Sequence, residues 1–335
     1  MVLFNPNGVS RVIGVEEHFA TQALLDGPAH EMAAMPGMGP LMAELLDLGD
    51  GRIKAMDEAG VDLAVLSLST PGPEPLDPEQ ALELAREANT QLADAVRAHP
   101  DRFAGLVALP LSAPEIAAGE LARAAQDGFV GVIINGHSQG RYLDDPAFEP
   151  VLATAERLDM PIYLHPTMPP PEVIEANYVG NYSPAIAARF AGAGWGWHHE
   201  TGTHALRMIL GGVFDRFPRL QIMLGHHGET IPFLVPRIER NFPQQMTGLD
   251  RSVREYLREN FYYTFGGWNW MSMLGAVQRI VGADRIMFST DYPFVSMPQI
   301  CEFLEQIEVS QADRELIAHG NAERLLRIPP RAAGA

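Results

Sequence analysis

Short, uninterrupted apolar runs alternate along this chain with longer stretches in which apolar positions recur every three or four residues, a pattern of parallel strands joined by crossover helices. The first run, Val12-Ile13-Gly14-Val15, leads into Glu16-Glu17-His18. Further strands are predicted at Val61–Leu68, Phe103–Leu109, Val130–Asn135, Pro161–His165, Leu220–His226, Phe261–Thr264 and Arg285–Thr290, eight in all. Helices are predicted between them near Gly51–Ala59, Pro78–His99, Pro114–Gln126, Pro146–Leu158, His199–Phe214, Thr230–Phe242, Ser252–Glu259 and Met271–Val281. Three more, at Pro298–Ile307, Gln311–His319 and Ala322–Leu326, follow the last strand. Strands with helices outside and packed side chains inside read as continuously apolar. The predicted fold is therefore α/β, a (β/α)8 TIM-like barrel. After His165 the regularity breaks: Pro166, Pro169, Pro170, Pro171, Pro184 and the Gly-rich stretch 191–196 predict an irregular insertion over the barrel mouth. Neither a linker nor an internal repeat is visible, so residues 1–335 are read as a single barrel domain.

Several strands end on metal-binding residue types. Strand side chains alternate faces, so Glu16 and His18 point the same way and Glu17 points away. His165, His226 and Asp291 stand at the ends of three other strands. Barrel enzymes place their chemistry at the carboxyl-terminal rim, so Glu16, His18, His165 and Asp291 are candidate ligands of one divalent metal. His227 has the opposite strand parity to His226, so at most one of them is expected to face inward. His198 and His199 are adjacent on a helix and make poor co-ligands; they are read as structural or pocket-lining.

Composition narrows the classes. Lys and Arg total 24 against 42 Asp and Glu, a net charge of −18, and such a field repels nucleic acid and anionic membrane surfaces. The one cysteine, Cys301, rules out an internal disulfide framework and a Cys-based zinc site, and fits a reducing, cytoplasmic setting. Met1 to Arg11 carries no basic segment followed by a long apolar one, so no secretory signal is expected, and no run is long enough to span a bilayer.

A set of motifs adds to this reading. Glu16-Glu17-His18-Phe19-Ala20, Leu66-Ser67-Leu68, Pro100-Asp101-Arg102-Phe103, Gln139-Gly140-Arg141-Tyr142-Leu143, Tyr163-Leu164-His165-Pro166, Glu200-Thr201-Gly202-Thr203-His204-Ala205-Leu206-Arg207, Leu224-Gly225-His226-His227-Gly228-Glu229 and Ser289-Thr290-Asp291-Tyr292-Pro293-Phe294 occur in that order. With them the chain resembles the amidohydrolase superfamily, and within it the metal-dependent aromatic acid decarboxylases of the γ-resorcylate and 5-carboxyvanillate type. The resemblance runs from Val12 to Leu326. It implies one divalent ion, Zn2+ or Mn2+, held by Glu16, His18, His165 and Asp291 with His226 beside it, no organic cofactor, and a homodimer or homotetramer. The position after His226 is often Met in that family and is His227 here.

The implied reaction is nonoxidative decarboxylation of an ortho-hydroxylated aromatic acid, a small aromatic carboxylate of the hydroxybenzoate type, reversible in principle. Direct loss of CO2 would leave an aryl carbanion, so the ring carbon must first be protonated, and an ortho phenolate makes that carbon basic enough. Asp291 is the candidate acid, a carboxyl expected to hold a proton beside other negative charge. His226 would orient Asp291 or a bound water, and Glu229 would orient His226. Arg237, on the helix after the sixth strand, resembles a family arginine associated with the substrate carboxylate or the subunit contact. Phe294 and Trp268 are candidate stacking partners for an aromatic ring. Two other readings use the same site: hydrolysis of a lactone, ester or amide, whose practitioners usually carry His-x-His where this chain has Glu16-Glu17-His18, and binding of a small aromatic without turnover.

Overall fold

In the computed structural model, residues 8–35 and 37–330 are described; residues 1–7 of the amino-terminal segment, where no secretory signal was expected, lie outside them. Eight parallel strands form one sheet in the order β1 to β8: Ile13–Phe19, Leu63–Leu68, Phe103–Ala108, Gly131–Asn135, Ile162–His165, Ile222–Leu224, Phe261–Thr264 and Ile286–Met287. Every residue of these strands is buried, which is why none shows an alternating pattern: helices cover one face and barrel-filling side chains the other.

The barrel closes between the end of β8 and β1. The Val15 N–H donates to the Phe288 carbonyl at 3.1 Å, Asp291 N–H to Glu16 O at 2.9 Å and His18 N–H to Tyr292 O at 2.8 Å. Closure thus runs through the residues proposed as metal ligands.

Helix ends follow local chemistry. Asp77 accepts from the backbone N–H groups of Glu79 and Gln80 to start the Pro78–Ala98 helix, and Ser252 with Glu255 forms a reciprocal capping box for Val253–Glu259. Gly60, in the left-handed region at φ +75°, ends the Asp50–Ala59 helix.

The structure departs from the sequence reading in several places. The segment after His165 is not wholly irregular, since Pro171–Asn177 and Pro184–Ala191 are helices with proline in the first turn, where its missing N–H costs nothing. Short helices at Gln22–Asp26, His30–Ala33 and Gly39–Leu46 follow β1, where none was expected. The helix expected at His199–Phe214 runs instead over Gly196–Leu210 and restarts at Val213–Arg216 after Gly212, at φ +68°. β8 is shorter than Arg285–Thr290 because the Phe288 N–H donates to Ile317 O, 2.9 Å, rather than to the barrel ladder. Among the described residues no helix is long and apolar enough to cross a membrane.

Candidate metal centre and its proton-bearing neighbours

Glu16, His18, His165 and Asp291 converge at the carboxyl-terminal rim, each offering a ligand atom within 4.8 Å of the others. Glu16 and His18 are 1% and 0% exposed. The Glu16 carboxylate is divided in use. Its Oε2 accepts from Thr264 Oγ1 at 2.9 Å and Ser289 Oγ at 3.3 Å, while its buried Oε1 has no hydrogen-bond partner. His18 Nδ1 stands 3.3 Å from Ser67 Oγ, and its buried Nε2 is likewise unpartnered, 3.3 Å from Asp291 Oδ1 without hydrogen-bond geometry. Buried polar atoms without partners are strongly disfavoured. Two aimed at one point, with a second imidazole and a second carboxylate beside them, fit a divalent cation with mixed N/O preference.

Asp291 is placed by backbone and by Glu17. At φ +65° it occupies a region that L-residues rarely adopt. Glu17, on the outward face of β1, grips both neighbours: its Oε1 accepts from Thr290 N at 2.9 Å, and its Oε2 accepts from Thr290 Oγ1 and from Tyr292 N at 3.3 Å. Burial pushes the Glu17 carboxyl up to about 8, against the pull of these donors. The residue that strand parity points away from the metal therefore holds the turn that carries a ligand.

His226 and Glu229 come together through a backbone form that strand parity does not anticipate. β6 ends at Leu224, and the next residues wind left-handed, with φ of 49° at His226, 58° at His227, 79° at Gly228, 52° at Glu229 and 68° at Thr230. Each non-glycine residue in such a turn costs about 1–2 kcal/mol. Strain of this kind collects at functional sites where the surroundings over-determine it. Here His226 Nδ1 lies 2.7 Å from Glu229 Oε1, and His227 Nε2 donates to the Trp268 carbonyl at 2.7 Å. His226 and His227 are thus both buried, each with its own task, and the expectation that only one faces inward by strand parity does not apply to a turn. Burial lowers His227 to about 4, which leaves it neutral as a donor to Trp268.

His226 Nε2 faces Glu16 Oε1 and Asp291 Oδ2, each at 3.9 Å. Burial disfavours its charged form, but Glu229 and Glu16 outweigh that and hold its imidazolium well above the usual histidine range. Asp291 runs opposite to the sequence expectation. Burial would raise it, yet His18 and His226 press it well below the usual carboxylate range. His165 is pushed well below its usual range, first by burial and then by His18 and His226.

Glu229 is fully buried and carries a second imidazole, since His198 Nδ1 lies 2.7 Å from its Oε2. Burial would raise Glu229, but His226 and His198 together hold it low and anionic. Adjacent helical residues indeed do not share a partner: His199 lies against Trp195, ring centroids 4.0 Å apart, while His198 alone reaches the site. The sequence offered no sign that His198 and Glu229 meet.

Of the candidate substrate contacts, Trp268 lies against His198 and His226 with ring centroids 4.8 and 5.8 Å away, and Phe294 lies 5.6 Å from His18. Both border the metal centre. Arg237 does not: it is exposed on the Ile231–Asn241 helix.

Comparison with known proteins places the chain. The amidohydrolase family profile matches residues 42–328. The chain is 39% identical over 329 residues to a γ-resorcylate decarboxylase of Polaromonas sp., covering 94% of this chain and 98% of that one. A crystal structure of a 5-carboxyvanillate decarboxylase from Novosphingobium aromaticivorans, with bound manganese and 3-methoxy-4-hydroxy-5-nitrobenzoic acid, superposes with a TM-score of 0.88 at 33% identity, covering 97% of this chain and 99% of that one. A dihydroxybenzoic acid decarboxylase from Polaromonas sp., with bound manganese and 2-nitroresorcinol, gives 0.88 at 38% identity over 95% of this chain and 97% of that one. With barrel, rim and profile in agreement, this chain belongs to the amidohydrolase family.

Proposed function

We propose that this protein is a metal-dependent, nonoxidative decarboxylase, a carbon–carbon lyase acting on ortho-hydroxylated benzoates, with residues 1–335 as one catalytic unit. The observation that carries the reading is the juxtaposition of a Glu16, His18, His165 and Asp291 candidate ligand set with a His226–Glu229 pair whose Nε2 faces Asp291. Glu16, His18, His165 and Asp291 would hold one divalent ion, and the manganese in the two related decarboxylases favours Mn2+ over Zn2+. When bound, such an ion supplies Lewis acidity that orients the phenolate and carboxylate and offsets their charge.

The chain's own residues account for the proton. Protonation of the carboxylate-bearing ring carbon must precede C–C cleavage, because the alternative is an aryl carbanion. Asp291, poised at the rim, delivers that proton, and the His226 imidazolium facing its Oδ2 supplies it. Glu229 keeps His226 charged and oriented until transfer. Loss of CO2 then restores aromaticity, and in excess bicarbonate the same steps run backwards. Trp268 and Phe294 border the space in which the ring would lie.

Arg237 takes its role across a subunit boundary in this reading. It shares its helix with Phe233 and Leu234, 41% and 52% exposed, apolar surface suited to a homodimer or homotetramer. A cytoplasmic setting completes the assignment, consistent with a single, buried cysteine.

The test is turnover of a panel of hydroxybenzoates by protein loaded with Mn2+ or Zn2+, following CO2 and the phenol. Ortho-hydroxylated acids should react and para-hydroxybenzoate should not. Inertness toward every ortho-hydroxy acid, with hydrolysis of lactone or ester substrates instead, would overturn the proposal.

A further inference from the structure

The carboxylate that orients His226 is held from its other side by a chain of donors whose direction is fixed. Trp197 Nε1 donates to His198 Nε2 at 3.0 Å, and an indole N–H can only donate. His198 Nε2 therefore accepts, although the Ala193 carbonyl also lies 3.2 Å away. In the neutral ring the proton is then on Nδ1, which faces Glu229 Oε2 at 2.7 Å. With Oε2 so occupied, Glu229 presents Oε1 to His226 Nδ1 at 2.7 Å, and an anionic oxygen there requires a proton on that nitrogen. His226 Nε2 is left to face Asp291 and Glu16.

The two imidazoles and the carboxylate of this chain are withdrawn from water, while Trp197 at its outer end is half-buried. His198 and His226 are each 4% exposed and Glu229 is 0% exposed. The His198 ring also packs edge-on against His226, centroids 4.7 Å apart, which leaves the Glu229 carboxylate little freedom to rotate. Trp197 and His198 lie in the first turn of the Gly196–Leu210 helix, immediately after the insertion that follows His165.

We propose that His198, set by Trp197, is a positioning residue of the active site: it locks the Glu229 carboxylate and, through it, fixes the His226 ring with Nδ1–H on Glu229 and Nε2 directed at the reacting centre. This rests on the decarboxylase reading for its kinetic part, but the orientation of His226 can be read without turnover. Removal of this kind of outer hydrogen-bond partner typically lowers activity about 10–100-fold. His198→Phe keeps the ring and removes the donor; His198→Asn keeps a donor at the Nδ1 position. Trp197→Phe removes the group that fixes the direction and lets His198 turn its Nε2–H toward Ala193 O, which would set a lone pair against Glu229.

The experiment combines steady-state kinetics on an ortho-hydroxybenzoate with 15N spectra of histidine-labelled protein, assigned through a His226→Gln spectrum. The expected result is a kcat about 10–100-fold lower in His198→Phe with KM within about twofold, partial recovery in His198→Asn, and a smaller loss in Trp197→Phe. The His226 Nδ1 should report a strongly hydrogen-bonded N–H in the wild type, and that signal should shift toward a weaker hydrogen bond or split into several in His198→Phe. Unchanged His226 shifts in a folded His198→Phe variant would overturn the inference, as would equal losses in the Phe and Asn variants. If no variant and no wild-type preparation turns over benzoates, the spectra still decide the positioning role, while the decarboxylase reading fails separately.

Discussion

Gly225→Ala gives the most direct test of how the metal centre is built. Gly225 has φ −70° and ψ −179°, a conformation open to any residue, so alanine brings no backbone strain. The obstacle is the space its side chain would enter. A Cβ at this position would lie 2.7 Å from Glu16 Oε1 and 3.0 Å from the Tyr163 hydroxyl. Ordinary contact begins near 3.4 Å, so the oxygen must retreat by 3.4 − 2.7 = 0.7 Å. That oxygen is the unpartnered one aimed at the metal, while its twin is tied to Thr264 and Ser289. Coordination distances hold to within about 0.2 Å, so the displacement exceeds the tolerance several-fold. A loss of about 10–100-fold in metal affinity follows, or about 1.4–2.7 kcal/mol. The assay is Mn2+ titration followed by the electron paramagnetic resonance of free Mn2+, with thermal unfolding of the metal-free protein as the fold control. Gly119→Ala, where a Cβ meets nothing within 4 Å, should leave affinity unchanged. Wild-type affinity in Gly225→Ala would refute the assignment of Glu16 Oε1 as a ligand atom.

Asp291→Asn should fold normally yet lose about 100–10,000-fold in kcat, measured by CO2 release, because an amide cannot pass on the proton that His226 supplies. His227→Leu should free the Trp268 carbonyl from its 2.7 Å bond; KM for an aromatic acid should rise with kcat little changed, whereas unchanged KM would remove His227 from pocket shaping. Glu74 is pushed from 4.5 to about 8 by burial, opposed by its bond from Asn135 N–H, so the folded protein holds a proton there that the unfolded chain releases. A raised carboxyl favours the fold at low pH, and that contribution falls by about 1.4 kcal/mol per pH unit between 4.5 and 8. Denaturant unfolding of Glu74→Gln should therefore gain on the wild type by that slope from pH 5 to 8 and run parallel above it; parallel curves throughout would show that Glu74 is ionised in the fold.

What sequence pattern conveys well is whatever repeats. Eight apolar runs, each buried on both faces, produced the barrel, and the same-face relation of Glu16 and His18 followed from a strand's period of two. Asp291 and His165 were legible because they end such runs. The left-handed turn at His226–Thr230 was not, because four of its five residues have a Cβ and nothing in their identities asks for positive φ. That turn, rather than strand parity, decides where His226, His227 and Glu229 point. The meeting of His198 with Glu229 was hidden for a related reason: it joins a helix start to a turn, two elements whose relative placement no periodicity encodes. The expected proton on Asp291 rested on the negative charge of a bound anionic substrate, and sequence could not show the two imidazoles, His18 and His226, that the fold sets beside it and that lower its carboxyl.

Glu17 shows how closely the fold and the site are joined. Read along β1 it is the residue that does not face the metal, and a reading limited to ligands would pass over it. Yet the last turn of the barrel, from Thr290 to Tyr292, has no ladder of its own: β8 pairs with β7 only at Ile286 and Met287. What fastens that turn is β1, through Asp291 N–H to Glu16 O, His18 N–H to Tyr292 O and the three bonds into the Glu17 carboxyl group. The strand that carries two candidate ligands on one face thus uses its other face to fasten the turn that carries a third. Barrel closure and the gathering of the candidate metal ligands are one structural event, which explains how residues separated by most of the chain bring their ligand atoms within 4.8 Å of one another.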